Sequence, residues 1–495
     1  MIKKFIENNK KDLLIFIIIF FITCLVFVEF IIGHFSTDTY NIINRGYNEY
    51  AIKYSLNDGR PIMSIISLCA NFLNMPINVY ISLLTVLAIV VSCFSVILLK
   101  NIVTQYKKPN KLNQEIVLTL ICYITIFNFM FLENMQFAEC FVMSVSILIW
   151  IIASKVLVSK EKNYIIKTFI LMIIGICFYQ ATISFFVVLV ILLTLLSDNK
   201  NHTIKNLLLN TLLSGLFCII AVAFNLAQIK IVDYFTGMSQ TRMGSINNII
   251  YMVPAIFKSI PSILVNTCSI FPKYLFLIYL FLIVVVYNLD KKNFKLNLDV
   301  FTIIASSILL SFAMNIFTAA SFGSARMLYP IGTLVGIIFI IVFLKTNNFK
   351  EGFLKPILII LLVTYSIITI VNYIYIIHSQ KIIENLNKEE CEIINEYMIE
   401  YENNTGNKLR KIAICYDINP TYYYEEIKNK SSLCIRPLSV EWSDDGSINY
   451  FTNRSLEEIN MPKEIYLKYF KNKDWEELSE EQFVFIDDIV YYCIY

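Results

Sequence analysis

Long apolar runs parted by short polar loops fill the first 378 residues. They lie at 13–33, 78–99, 116–132, 140–155, 168–196, 206–230, 274–289, 301–319, 327–343 and 356–378, near the ~20 apolar residues that a helix needs to cross a bilayer. The 168–196 run carries Tyr179, Gln180, Ala181 and Thr182 at its middle, so it reads either as one tilted helix or as two short ones that turn there. Taken as two, it brings the total to about eleven membrane helices. The pattern changes between the first two runs. There His34, Asp38, Arg45, Glu49, Lys53, Asp58 and Arg60 crowd a loop, and Ile62, Met63, Ile65, Ile66, Leu68 and Phe72 then recur at helical spacing. That spacing predicts a helix lying in the membrane interface. The segment 233–273, with Arg242 and a scatter of Gly and Pro, predicts further interfacial pieces.

Beyond Gln380 the apolar runs shorten. An amphipathic helix over 382–401 precedes runs at 411–416 and 482–486 that read as strands. This tail holds 23 acidic against 13 basic residues, which marks it as water-facing. The fold class is therefore an all-α polytopic membrane protein, domain 1–378, followed by a small α/β domain, 379–495. With 57% hydrophobic residues and mean hydropathy +0.64, the chain exceeds the roughly 45–50% apolar share of soluble domains.

Basic residues set the orientation. Lys3, Lys4, Lys10 and Lys11 precede the first run and place the N-terminus in the cytoplasm. The first run has no small-residue cleavage site and is kept as a span. The loop with Lys160, Lys162 and Lys167 is inside, and the later lysine-rich loops, Lys291–Lys292–Lys295 and Lys345–Lys350–Lys355, fall inside only if 168–196 is two helices. The C-terminal domain is then outside. A net charge of +3 with basic residues confined to short loops gives no nucleic-acid footprint. Most of the twelve cysteines sit in apolar runs and show no metal spacing. Cys415 and Cys434, in the external tail, are placed to close a loop between short strands.

Ionisable groups at the mouth of a span are costly and point to function. The topology brings three polar places to the outer leaflet: the first loop, the turns at Glu133 to Glu139 and Tyr179-Gln180, and Arg326. The plainer readings are a solvated turn for Glu133 and Glu139, a snorkelling Arg326, a helix–helix hydrogen bond for Gln180 and packing for the tyrosines at 422–424. No nucleotide-binding or G-x-S-x-G pattern is present, and outside the cytoplasm neither ATP nor nucleotide sugars are at hand. A lipid-carried substrate fits. Moving a sugar from a lipid phosphate takes a carboxylate to accept a hydroxyl proton and cations to hold the leaving phosphate; Asp38 with Arg60 or Arg326 supplies those types.

The pattern Asp38-Thr39-Tyr40, then Asn57-Asp58-Gly59-Arg60-Pro61, then Tyr179-Gln180 resembles the serotype-converting O-antigen glucosyltransferases, the Gtr type-II family of GT-C membrane glycosyltransferases. The resemblance covers about 13–378. It implies transfer of glucose from undecaprenyl-phosphate glucose to a cell-surface glycan at the outer face of the bacterial cytoplasmic membrane, by an inverting displacement. The partners it implies are the polyprenyl-phosphate-linked sugar donor, an envelope polysaccharide acceptor and membrane lipids. Asp38 takes the position of the class's first-loop acid and becomes the candidate base, with Asp58 second. Tyr40, Arg45, Arg60, Glu133, Glu139, Tyr179, Gln180, Arg242 and Arg326 are the candidate substrate contacts. Thr37 and Thr39 flank a single acid where many relatives carry two, so no metal ligand is assigned and a divalent metal stays open. A lipid-linked glycan polymerase needs the same groups and stays open beside this reading, as does a flippase or transporter of envelope polysaccharide.

Overall fold

The computed structural model describes residues 10–109, 111–197, 204–237, 246–266, 269–270, 273–289, 294–312, 324–345, 354–427 and 431–495. Apolar helices dominate. The first span is α1 (Lys10–Val26), and the chain bends by 66° at Phe27, between Lys10–Val26 and the helical stretch Val28–Leu56. That stretch contains α2 (Val28–Gly33), α3 (Thr37–Glu49) and a π-helical segment, Tyr50–Leu56. Ser36 starts α3 with a capping box shared with Thr39, which satisfies backbone donors that the helix itself cannot pair. Pro61, pre-set for a helix start, opens α4 (Pro61–Phe72), whose Ile65, Leu68 and Phe72 are exposed.

The helices that follow are α5 (Ile77–Thr104), α6 (Leu112–Ile126), α7 (Phe131–Gln136), α8 (Cys140–Ser159), α9 (Tyr164–Phe178), α10 (Ser184–Ser197), α11 (Ile204–Thr236), α12 (Ile246–Asn266), α13 (Leu275–Leu289), α14 (Phe294–Ser311), α15 (Tyr329–Lys345) and α16 (Leu354–Thr405). Among the described residues, four helices are long and apolar enough to cross a membrane, or five with the bent pair counted as one. Shorter apolar helices, α9 and α10 among them, make up the rest. The backbone does break at 179–183, between α9 and α10. Every residue of α10 from Ser184 to Leu196 is buried, and so is 328–343 around α15. Helices apolar on all sides belong in the middle of a bundle, and these two pack on each other there.

At one end of α15, Lys107 donates to the carbonyls of Phe343 and Leu344 (3.3 and 3.2 Å). Lys100 bonds Asp12 (2.5 Å) and approaches Glu115 (3.5 Å), so α1, α5, α6 and α15 are tied at that end. The other end of α15 lies about 25 Å away for 17 residues and begins just after Arg326.

Helix α16 runs unbroken through 378–379 and carries the chain from the apolar bundle into the tail. The tail's sheet has the order β2-β1-β4-β3: β1 (Lys411–Tyr416) lies parallel to β2 (Glu457–Glu458) and β4 (Ile489–Ile494), and β3 (Phe483–Ile486) is antiparallel to β4. Alternation sorts the strands' side chains. Ile412 and Val490 join Cys391, Ile394 and Met398 of α16 on one face, and Ala413 and Cys493 pack with Phe470 on the other. The loop expected from Cys415 and Cys434 is not closed: no disulfide joins them. Their sequence separation says nothing of register, and register sets Cys415 opposite Cys493 instead.

Candidate active site

A cavity of about 470 Å³ opens at the end of the bundle that holds Arg326, within the ~300–1,000 Å³ range of small-molecule sites. Its lining brings together Asp38 of α3, Glu133 of α7, and Asp58, Arg60, Glu139 and Arg326 from the turns beside helices. It also takes Gln380 and Glu384 from α16 and Leu433, Pro437 and Trp442 from the tail.

The Asp58-Gly59-Arg60 turn is held from outside. Gln180 donates to the Asp58 carbonyl (2.9 Å) and Asn225 of α11 to the Gly59 carbonyl (2.7 Å). Gly59 has φ +76°, and a side chain there would start 2.6 Å from the Asn225 amide. Only glycine meets both demands cheaply. The braced turn aims Arg60 at Glu139, whose other oxygen accepts from the Tyr50 hydroxyl (3.1 Å). The guanidinium also approaches Asp58 (3.6 Å) and lies 5.2 Å from the Tyr179 ring centroid.

A second pair stands beside the first. Glu133 accepts from the Arg326 backbone N–H (2.6 Å) and meets its guanidinium at 3.5 Å, and that guanidinium lies 4.6 Å from the Phe137 ring centroid. Burial pushes the Glu133 and Glu139 carboxyls up from their ordinary values, and their arginines pull them back in part. Arg60 is raised, because Glu139 and Asp58 outweigh its own desolvation.

Asp38, near the start of α3, accepts from the Trp442 indole N–H (3.2 Å). Among the described residues it has no ion-pair partner. Several expected contacts lie elsewhere. Tyr40 is fully buried against Phe35, Tyr450 and Phe451, and Arg45 pairs with Glu458 (3.3 Å) and Glu49 (3.7 Å). Both therefore serve the seam where the tail docks on α3. Tyr179 is buried behind Arg60. Arg242 lies outside the described residues. Of the tyrosines at 422–424, Tyr424 is buried and donates to Glu390 (2.8 Å). Among the described residues no three His, Cys, Asp or Glu side chains gather closely enough to hold a metal ion.

Sequence reasoning missed Tyr50, Glu384 and Trp442. A signal existed only for Tyr50, inside the charged loop. The other two reach the cavity because the tail folds back over it.

Apolar helices that carry a buried cluster of arginines and carboxylates around one cavity fit a membrane protein with a polar site. Residues 27–343 match the family glucosyl transferase GtrII. That stretch is well over half of the chain, which belongs to this family; the family implies a glucosyltransferase. No curated protein and no solved structure matches the chain.

Proposed function

We propose that the chain transfers glucose from a polyprenyl-phosphate sugar to a cell-envelope glycan at the outer face of the bacterial cytoplasmic membrane. Asp38 takes the proton of the acceptor hydroxyl, whose oxygen attacks the anomeric carbon. The bond from that carbon to the phosphate oxygen breaks, and the phosphate leaves beside Arg60 and Arg326. Attack opposite the leaving group inverts the anomeric centre. The observation that carries the reading is the division of charge in the cavity: the two arginines are held by Glu139, Asp58 and Glu133, while Asp38 forms no ion pair among the described residues. A carboxylate not bonded to a cation keeps acceptor positions for an incoming hydroxyl. Asp58, next to Arg60, is the second candidate.

The orientation follows from the two ends of α15. The lysine-rich end, with Lys100 and Lys107, faces the cytoplasm, so the cavity and the tail lie outside. Eleven crossings, with α9 and α10 counted separately, meet that requirement.

The test is direct. Purified protein in lipid nanodiscs is given radiolabelled polyprenyl-phosphate glucose and envelope glycan from cells lacking the gene. Transfer of single glucosyl residues is the expected result. Joining of pyrophosphate-linked repeats without use of the phosphate donor would replace glucosyl transfer with polymerisation, and no turnover of either would overturn both.

A further inference from the structure

We propose that the tail supplies the acceptor half of the site, with Trp442 as the platform on which the acceptor's sugar ring stacks. The inference rests on Asp38 as the base. A base must touch the hydroxyl that it deprotonates, so the acceptor ring has to lie against Asp38. The group in contact with Asp38 is the Trp442 indole, 3.2 Å away through its N–H.

The chemistry of the wall fits a pyranose, which offers one face of C–H bonds and an edge of hydroxyls. An indole covers the first, and carboxylates such as Asp38 and Glu384 accept from the second. Trp442 is 43% exposed, although a tryptophan in a water-facing loop gains by burial. The loop beneath it is fixed. Fully buried Arg436 binds Glu390 through two nitrogens and donates to the carbonyls of Tyr495 (2.6 Å) and Thr421 (3.3 Å). Ser443 closes the turn on the Pro437 carbonyl (2.6 Å). The helix that follows, α17 (Asp444–Thr452), docks on α3 so tightly that Gly446 meets the Tyr40 carbonyl with no room for a side chain. A rigid platform loses little freedom when a ring settles on it.

The division of labour follows the chain. The arginines that would hold the donor phosphate lie inside the family match, 27–343. Trp442 and Glu384 lie beyond it, on the side of the tail.

Saturation-transfer NMR on the full-length protein in nanodiscs tests this, with methyl α-glucopyranoside, methyl α-rhamnopyranoside and N-acetylglucosamine as probes. Wild type is expected to saturate the ring protons of one face of at least one probe. Trp442→Ala should weaken that contact roughly tenfold, the scale of one lost stacking contact, and Trp442→Phe should keep most of it. Should Trp442→Ala not fold, Trp442→Leu, apolar without a ring, takes its place. Unchanged contact in the ringless variant overturns the platform. So does an equal loss in Trp442→Phe, which would assign the effect to the bond with Asp38, and so does a wild type that contacts none of the probes. The donor assay is separate: a chain that binds these sugars through Trp442 but uses no polyprenyl-phosphate glucose contradicts the glucosyl-transfer reading and leaves the platform standing.

Discussion

Both ends of α15 carry buried ion pairs, and the two clusters are used differently. At the Lys345 end Lys100 meets Asp12 and Glu115, Lys11 approaches Glu115 at 3.7 Å, and Lys107 caps the last carbonyls of α15. Charge is matched there, and the result is a seal between helix ends. At the Tyr329 end five carboxylates, Asp38, Asp58, Glu133, Glu139 and Glu384, share one cavity with two arginines, Arg60 and Arg326. A buried ion pair alone is weak evidence for anything. Carboxylates that outnumber the arginines lining the same cavity are stronger evidence, because clustered ionisable groups beside apolar helices are costly and point to function.

The sharpest way to break this comparison is to remove one cation from each end. Arg60→Met leaves Glu139 buried without its partner, so stability should fall by about 3–5 kcal/mol and glucosyl transfer should vanish. Lys100→Met leaves Asp12 and Glu115 partly in reach of water (23% and 15% exposed), so the loss should be nearer 1–3 kcal/mol with transfer per folded molecule unchanged. Thermal unfolding in nanodiscs with parallel rate measurements separates the two. Equal effects on rate would remove the distinction between the ends.

Gly59→Ala is expected to act on the cavity end alone. The left-handed backbone costs about 1–2 kcal/mol with a side chain, and displacing the turn should lower transfer by roughly 10²-fold, the usual effect of a misplaced catalytic group. The double variant Gly59→Ala with Asn225→Ala relieves the contact but not the backbone conformation, so it should recover part of the rate. No recovery would mean that Asn225 does not brace the turn.

A smaller effect is expected from Arg326→Lys, which keeps the charge and loses the planar fork. Donor affinity should fall while the unfolding temperature holds. Normal binding of polyprenyl-phosphate glucose by Arg326→Ala would reduce Arg326 to an anchor.

The smallest effect concerns the seam between tail and α3. Burial pushes the Asp444 carboxyl up to about 8, with Tyr416 donating to it at 2.7 Å, and raises Asp445 and Glu458 as well. A carboxyl whose pKa is raised in the docked state holds its proton there. Its contribution is present below about pH 4, the ordinary aspartate range, and is lost as pH rises through about 8. Proteolysis of the exposed 403–408 segment should therefore be faster at alkaline than at acid pH, and Asp444→Asn should flatten the profile. A wild-type rate independent of pH would contradict it.

The helices were legible because membrane spans are read from length and apolarity alone. The ionic wall was legible because charge beside such spans stands out. Strands β1 and β3 and the break at 179–183 also carried local signals. The lid did not. Asp38 and Trp442 touch across 404 positions, and no periodicity encodes a contact of that range. Tyr40 and Arg45 were grouped with Asp38 as substrate contacts because they share its charged segment, whereas α3 turns them toward the tail. The change in composition near Gln380 falls within a continuous helix, α16, which carries the chain from the apolar bundle into the tail without a break.

The central claim is that Asp38 is the base of glucosyl transfer, and turnover of polyprenyl-phosphate glucose by Asp38→Asn measures it most directly. The amide keeps the shape and can still accept from Trp442, but it cannot take a proton. The rate should fall by roughly 10²–10⁴, the share that general base catalysis supplies, with donor binding retained. Near wild-type turnover by Asp38→Asn alongside an inactive Asp58→Asn would move the role to Asp58, and activity in both would contradict the mechanism.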